Sequence, residues 1–215
     1  MKSYLRHLPN LISVARIILV GPVAWSLLNE RFGLAIWLFL VAGASDGLDG
    51  FLAKRFGWSS RLGGILDALA DKLLLTSTFF CLWWLGVFPW WLVLSILARD
   101  LVIVVGATVY NFRIETVHPA PTLVSKLNTF LQIALAAVGV VKLGFGGIPG
   151  WIMQALIWSV MLTVLLSGAG YIREWTRRAR VGGTHVRPDP NRLWPLIWVL
   201  LTAWLLYLLS PILTP

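Results

Sequence analysis

Acidic residues are scarce in this chain: nine among 215, against eighteen lysines and arginines, and charged residues of either sign make up 13%. With 58% hydrophobic residues and a mean hydropathy of +0.80, so little charge excludes an ordinary soluble domain and indicates a helical membrane protein. Cysteine is nearly absent. Cys81 stands alone in an apolar run, which excludes an intramolecular disulfide and leaves the compartment open. The three histidines, His7, His118 and His185, are scattered and make no metal set. No internal repeat is visible, which argues against a repeat-built transporter. No small-residue cleavage site follows the first apolar run, so a retained span is expected there rather than a signal peptide. The net charge of +9 is concentrated in loops, which points to anionic lipid headgroups and away from nucleic acid.

What is present is a series of apolar runs. Spans are expected over about 11–28, 33–53, 62–87, 89–110, 122–143 and 151–172, with a basic stretch over 173–192 and a seventh apolar run over 193–209. Thirteen of the eighteen basic residues fall on the side of the N-terminus and two, Arg31 and Lys142, on the other. The positive-inside rule then puts the N-terminus in the cytoplasm. Tryptophans such as Trp83, Trp84, Trp90 and Trp91 suit an interfacial belt.

Four of the nine acids lie in one stretch, 46–71, at the cytoplasmic ends of two spans. Asp46 and Asp49 are spaced i, i+3; Asp67 and Asp71 are spaced i, i+4. On two helices each pair shares a face and can point into a common cleft. Carboxylates at membrane depth cost about 2.5–3.5 kcal/mol each unless compensated. A pair of divalent cations, Mg²⁺ or Mn²⁺, is the cheapest compensation, because carboxylate oxygens are hard ligands. Gly50 and Ala53 share the face of Asp46, and Gly63 lies one turn before Asp67; small residues there let a ligand approach the backbone. Two metals in a carboxylate cluster suit phosphoryl-type chemistry, with one carboxylate free to take a proton from an acceptor hydroxyl.

The pattern Asp46-x2-Asp49-Gly50-x2-Ala53-Lys54-x8-Gly63-x3-Asp67-x3-Asp71 resembles the signature of the CDP-alcohol phosphatidyltransferase family, D-x2-D-G-x2-A-R-x8-G-x3-D-x3-D. The departure is Lys54, where the family carries Arg; the charge is kept and bidentate phosphate contact is not. Pro9-Asn10-x2-Ser13-x2-Arg16 resembles the family's N-terminal motif, with Ser in place of the commoner Thr. The resemblance implies an all-α integral membrane protein: a six-helix bundle of that type over 1–180, followed by a basic linker and a seventh span over 181–215. It implies that Asp46, Asp49, Asp67 and Asp71 hold two Mg²⁺ or Mn²⁺ ions, with Asp71 also the catalytic base. Asn10, Arg16, Gly50, Ala53, Lys54 and Gly63 would bind the nucleotide. The implied reaction is attack of an acceptor hydroxyl on the β-phosphorus of CDP-diacylglycerol with release of CMP, at the cytoplasmic face of a bacterial inner membrane, in a chain that forms a homodimer.

For the acceptor, the resemblance implies Arg99, Arg113 and Lys126 as binding residues. Arg99-Asp100, Tyr110-Asn111-Phe112-Arg113 and Ser125-Lys126-x-Asn128-Thr129-x2-Gln132 look most like members that use phosphatidylglycerol and make cardiolipin. Members that use glycerol 3-phosphate, the alternative, tend to carry Lys where this chain has Asn128. Arg99-Asp100 reads equally as a buried structural ion pair or as an acceptor-binding set; adjacent on one helix, the two are expected to have different partners. Competing readings are hydrated loop acids, an ion-coupled transporter, and an aspartate-rich prenyltransferase. The helical spacing disfavours the first, the lack of repeats the second, and the closeness of the four aspartates in sequence the third.

Overall fold

The computed structural model describes residues 8–56, 61–113 and 123–181; within those helices the side chains of 8, 9, 49, 51–54, 61, 62, 65, 106–113, 174–176 and 178–181 fall outside the description. The described residues form six helices and no strand: α1 Leu8–Leu28, α2 Phe32–Phe56, α3 Arg61–Trp84, α4 Trp90–Arg113, α5 Leu123–Phe145 and α6 Gly150–Val181. The expected seventh span, 193–209, lies outside the described residues. Stretches of α1, α5 and α6 are long and apolar enough to cross a membrane, and Phe32–Leu48 of α2 is a shorter apolar stretch. Charged residues such as Asp67, Asp71 and Lys72 dilute the apolar character of α3. Large apolar side chains point outward along the helices, among them Leu11, Trp37, Leu40, Phe130, Trp158 and Leu162. Such a surface is stable against lipid tails and would aggregate in water.

Two compact units divide the described residues. The first contains α1, α2, α3, the turn to Pro89, and Ala136–Pro149. Here α1 packs against both α2 and α3. Its buried residues Val20, Val23, Ala24 and Leu27 recur at i, i+3, i+4 and i+7, the spacing of one helical stripe. They belong to the same core as Ala35, Phe39 and Ala42 of α2 and Leu73, Leu74, Phe79 and Leu82 of α3. The exits of α1 and α3 close in the same way. Arg31 N–H donates to Ser26 O at 2.8 Å with Glu30 at φ 57°, and Val87 N–H donates to Leu82 O at 2.8 Å with Gly86 at φ 72°. These 6→1 bonds around a left-handed residue satisfy carbonyls that the helix ends leave open. Buried hydroxyls inside α3 are satisfied by their own backbone: Ser77 and Thr78 both donate to Leu74 O.

The second unit contains α4, α5 up to Leu135, and α6. Its apolar core is Leu92, Val93 and Ile96 of α4, Leu135 of α5, and Met153, Ile157, Val160 and Val164 of α6. Helix α6 is longer than the expected span: it continues through the basic residues after Ile172 to Val181. At about 1.5 Å per residue its 32 residues exceed the roughly 30 Å of a bilayer core, so its Arg-rich end extends past the hydrocarbon. Nothing in Arg173–Val181 breaks a helix; Gly182 and Gly183 follow it.

Candidate functional site

Three helices of the first unit converge on one ionic cluster. Helix α2 supplies Asp46, α3 supplies Asp67 and Asp71, and α1 supplies Arg16. The i, i+4 spacing of Asp67 and Asp71 sets both on the face of α3 that meets α1. One nitrogen of Arg16, Nη1, donates to Asp46 Oδ1 at 2.6 Å, Asp67 Oδ1 at 3.1 Å and Asp71 Oδ1 at 2.6 Å. The guanidinium is fully buried, whereas the three aspartate side chains are 41–42% exposed. The cluster therefore has a closed, cationic floor and an open, anionic mouth. Buried Ser13, one turn before Arg16, and Asn10, one turn earlier, continue the same side of α1.

One carboxylate oxygen from each of Asp46, Asp67 and Asp71 lies within 4.8 Å of the others. Hard oxygen ligands, gathered from two helices and open on one side, fit a magnesium or manganese ion. The spacing put Asp46 with Asp49 on one helix face and Asp67 with Asp71 on another, and of these four the structure describes Asp46, Asp67 and Asp71 in one cluster. The side chains of Asp49, Ala53 and Lys54 lie outside the described residues, as does that of Arg113. Gly50 is half-buried, and a Cβ built there meets nothing within 4 Å, so the space beside it on α2 is open. Gly63 is likewise half-buried, one turn before Asp67. Among the described residues, Arg16 is the charge paired directly with all three aspartates. Arg16 is the single charge in the first apolar run, which marks it for the interior but names no partner.

A second polar cluster lies in the second unit. Arg99 and Asp100 were expected to find different partners, and the structure overturns that: Arg99 Nη1 donates to Asp100 Oδ1 at 2.7 Å, both residues buried. The Arg side chain is long enough to curl along its own helix, and with no water available the nearest carboxylate neutralises it. The same guanidinium donates through Nη2 to Ser125 Oγ at 2.7 Å and to Ser167 Oγ at 2.8 Å, with the ring of Tyr171 6.0 Å away. Asn128 is fully buried and accepts a bond from Thr163 Oγ1 at 3.0 Å. The amide nitrogens of Asn128 and Gln132 are buried with no hydrogen-bond partner. Lys126 is exposed. Sequence reasoning missed Thr163 and Ser167, whose signal was a polar row with Tyr171 at i, i+4 and i+8 on an apolar helix.

A family model described as CDP-alcohol phosphatidyltransferase matches residues 6–166. The chain is 29% identical over 190 residues to a cardiolipin synthase (CMP-forming) of Rattus norvegicus, covering 81% of this chain and 63% of that protein. It is 32% identical over 184 residues to the chloroplastic CDP-diacylglycerol--glycerol-3-phosphate 3-phosphatidyltransferase 1 of Oryza sativa subsp. japonica, covering 77% of this chain and 56% of the relative. To the CDP-diacylglycerol--glycerol-3-phosphate 3-phosphatidyltransferase of Aquifex aeolicus it is 34% identical over 142 residues, 63% of this chain and 77% of the relative. The chain thus spans less than two thirds of the length of the rat and rice relatives.

Proposed function

We propose, since the chain belongs to the CDP-alcohol phosphatidyltransferase family, that it transfers the phosphatidyl group of CDP-diacylglycerol to an alcohol and releases CMP. The observation that carries this reading is the gathering of Asp46, Asp67 and Asp71 within ligand distance of one another at an open face. Those three residues, with Asp49, would hold two divalent ions, Mg²⁺ or Mn²⁺. When bound, such ions neutralise the charge that develops on the diphosphate. Asp71 takes the proton of the acceptor hydroxyl as its oxygen attacks the β-phosphorus, and the bond to the CMP oxygen breaks. Asn10, Arg16, Gly50, Ala53, Lys54 and Gly63 hold the nucleotide side of the donor; the open space beside Gly50 suits a ligand lying close to the backbone. The excess of basic residues on one side supports a site at the cytoplasmic face.

The favoured acceptor is phosphatidylglycerol, giving cardiolipin, with Lys126, Arg113 and the Arg99 cluster on the acceptor side. What supports it is the neutral Asn128, fully buried and bonded to Thr163, at a position where members acting on glycerol 3-phosphate tend to carry Lys. A neutral amide suits a phosphodiester acceptor better than a phosphate monoester. Glycerol 3-phosphate remains the second reading, because the rice and Aquifex aeolicus relatives are named for it.

The test is an assay of the purified protein with CDP-diacylglycerol and Mg²⁺, offering phosphatidylglycerol and glycerol 3-phosphate separately and scoring CMP and lipid product. Cardiolipin from phosphatidylglycerol is expected. Product from glycerol 3-phosphate alone moves the reading to the alternative, and no CMP with either overturns both.

A further inference from the structure

The position of Arg16 Nη1 is also the position a divalent ion would want. A nitrogen that lies 2.6, 3.1 and 2.6 Å from three carboxylate oxygens draws on the lone pairs of all three. An ion held by Asp46, Asp67 and Asp71 would draw on the same carboxylates. The two cannot coincide, and like charges so close repel strongly at a partly buried site. We propose that Arg16 is a resident counter-cation: it holds the carboxylates together while no ion is bound, and it must withdraw from them for an ion to enter.

Burial gives the exchange a direction. The guanidinium is fully enclosed beneath the carboxylates, and the carboxylates are open on their far side. An ion therefore arrives from the mouth while Arg16 is displaced from the floor. Charge makes the exchange sequential. Three carboxylates and one guanidinium leave a net charge of −2, which one divalent ion neutralises. With Asp49 counted, two ions and Arg16 together carry one positive charge more than the four aspartates balance. The second ion is then favoured only with an anion present, which a diphosphate supplies while offering Arg16 a new partner. Metal and donor thus bind with positive coupling, and Arg16 carries that coupling.

This inference rests on the metal reading above, and its test separates the two. Mn²⁺ is titrated into the full-length protein in detergent, without substrate, and free hexaaqua Mn²⁺ is read by electron paramagnetic resonance for the unsubstituted protein, Arg16→Met, Arg16→Gln and Arg16→Lys. Arg16→Gln keeps a donor to the carboxylates without the charge, and so serves where Met weakens folding. Both neutral variants are expected to bind the first Mn²⁺ about tenfold more tightly, within the ordinary range of coupling between sites. Arg16→Lys, which keeps the charge, is expected to stay near the unsubstituted affinity. Thermal melts of the metal-free neutral variants are expected to shift down and to recover with Mn²⁺. Unchanged or weaker Mn²⁺ binding in both neutral variants makes Arg16 a brace between helices and overturns the inference alone. No Mn²⁺ binding by any of the four proteins overturns it together with the metal reading.

Discussion

Arg16 on α1 and Asp71 on α3, 55 positions apart in sequence, meet at 2.6 Å, with the arginine fully buried and the aspartate side chain 41% exposed. That contrast assigns different work to the two residues. The arginine is enclosed among the helices, and the aspartate is available to what arrives from outside.

Asp71→Asn keeps the size of the side chain and leaves Arg16 two carboxylates, Asp46 and Asp67, to hold. The helices should therefore still assemble. Loss of a positioned base typically lowers a rate by about 10²–10⁴-fold, and that fall in CMP release is expected with circular dichroism unchanged. An Asn variant with normal turnover removes Asp71 from the chemistry.

Removal of the ions should stop turnover without dissolving the fold. With EDTA, CMP release is expected to drop to background and to return with Mg²⁺ or Mn²⁺. The lost stabilisation is only that of a bound ligand, about 2.7 kcal/mol at an ion concentration a hundred times the dissociation constant. Arg16 still ties α1 to α2 and α3 through the three aspartates. Loss of helicity on chelation would contradict this account.

The pair Arg99–Asp100 is nearly water-free, at 6% and 5% side-chain exposure. Asp100→Asn leaves the guanidinium with only neutral partners, Ser125 and Ser167, and breaking such a pair costs about 3–5 kcal/mol. Arg99→Met is expected to cost a similar amount, and the double variant less than the sum. A double-mutant cycle in detergent melts measures the difference; strict additivity would mean that the contact contributes nothing.

Two glycines give opposite expectations for the same substitution. A Cβ on Gly139 would lie 2.9 Å from Leu82 Cδ1 and from Phe88 Cζ, whereas one on Gly170 meets nothing within 4 Å. Gly139→Val is expected to cost about 1–3 kcal/mol through overpacking. Gly170→Ala should instead gain up to about 1 kcal/mol from helix propensity. Melting temperatures that move in the same direction for both would refute the packing argument.

Much of this molecule was legible because its signals are local and periodic. The i, i+4 spacing of Asp67 and Asp71 is a property of a helix face, and their oxygens lie together in the structure, with Asp46 joining them from α2. Apolar runs marked five of the six helix starts to within two residues, because Gly, Pro and polar turns bound them. The exception is α1, which begins at Leu8 because Pro9 fits a first helical turn. What sequence could not supply was pairing across helices. That Arg16 would reach three carboxylates on two other helices depends on how α1 packs, and no spacing in α1 encodes it. Arg99 failed the neighbour rule for a related reason: side chains of ordinary length diverge at i, i+1, but a buried guanidinium bends to the nearest acid. Ser125 and Ser167 complete its shell from two other helices.

Acceptor choice turns on Asn128. Its amide oxygen is taken by Thr163, and its amide nitrogen is buried with no partner, so the residue offers one neutral donor. Asn128→Lys replaces that donor with a cation, which is stable at a fully buried position only when an anion pairs with it. A phosphate monoester provides more charge for that purpose than a phosphodiester. The ratio of product from glycerol 3-phosphate to product from phosphatidylglycerol is therefore expected to rise by about tenfold or more, the effect of a differential interaction of roughly 1.4 kcal/mol. Asn128→Asp should move the ratio the other way, since a carboxylate repels the monoester more strongly. Measuring CMP release with each acceptor at equal saturation decides it. A ratio that both substitutions leave unchanged would mean that Asn128 faces only Thr163 and that acceptor selection is made elsewhere.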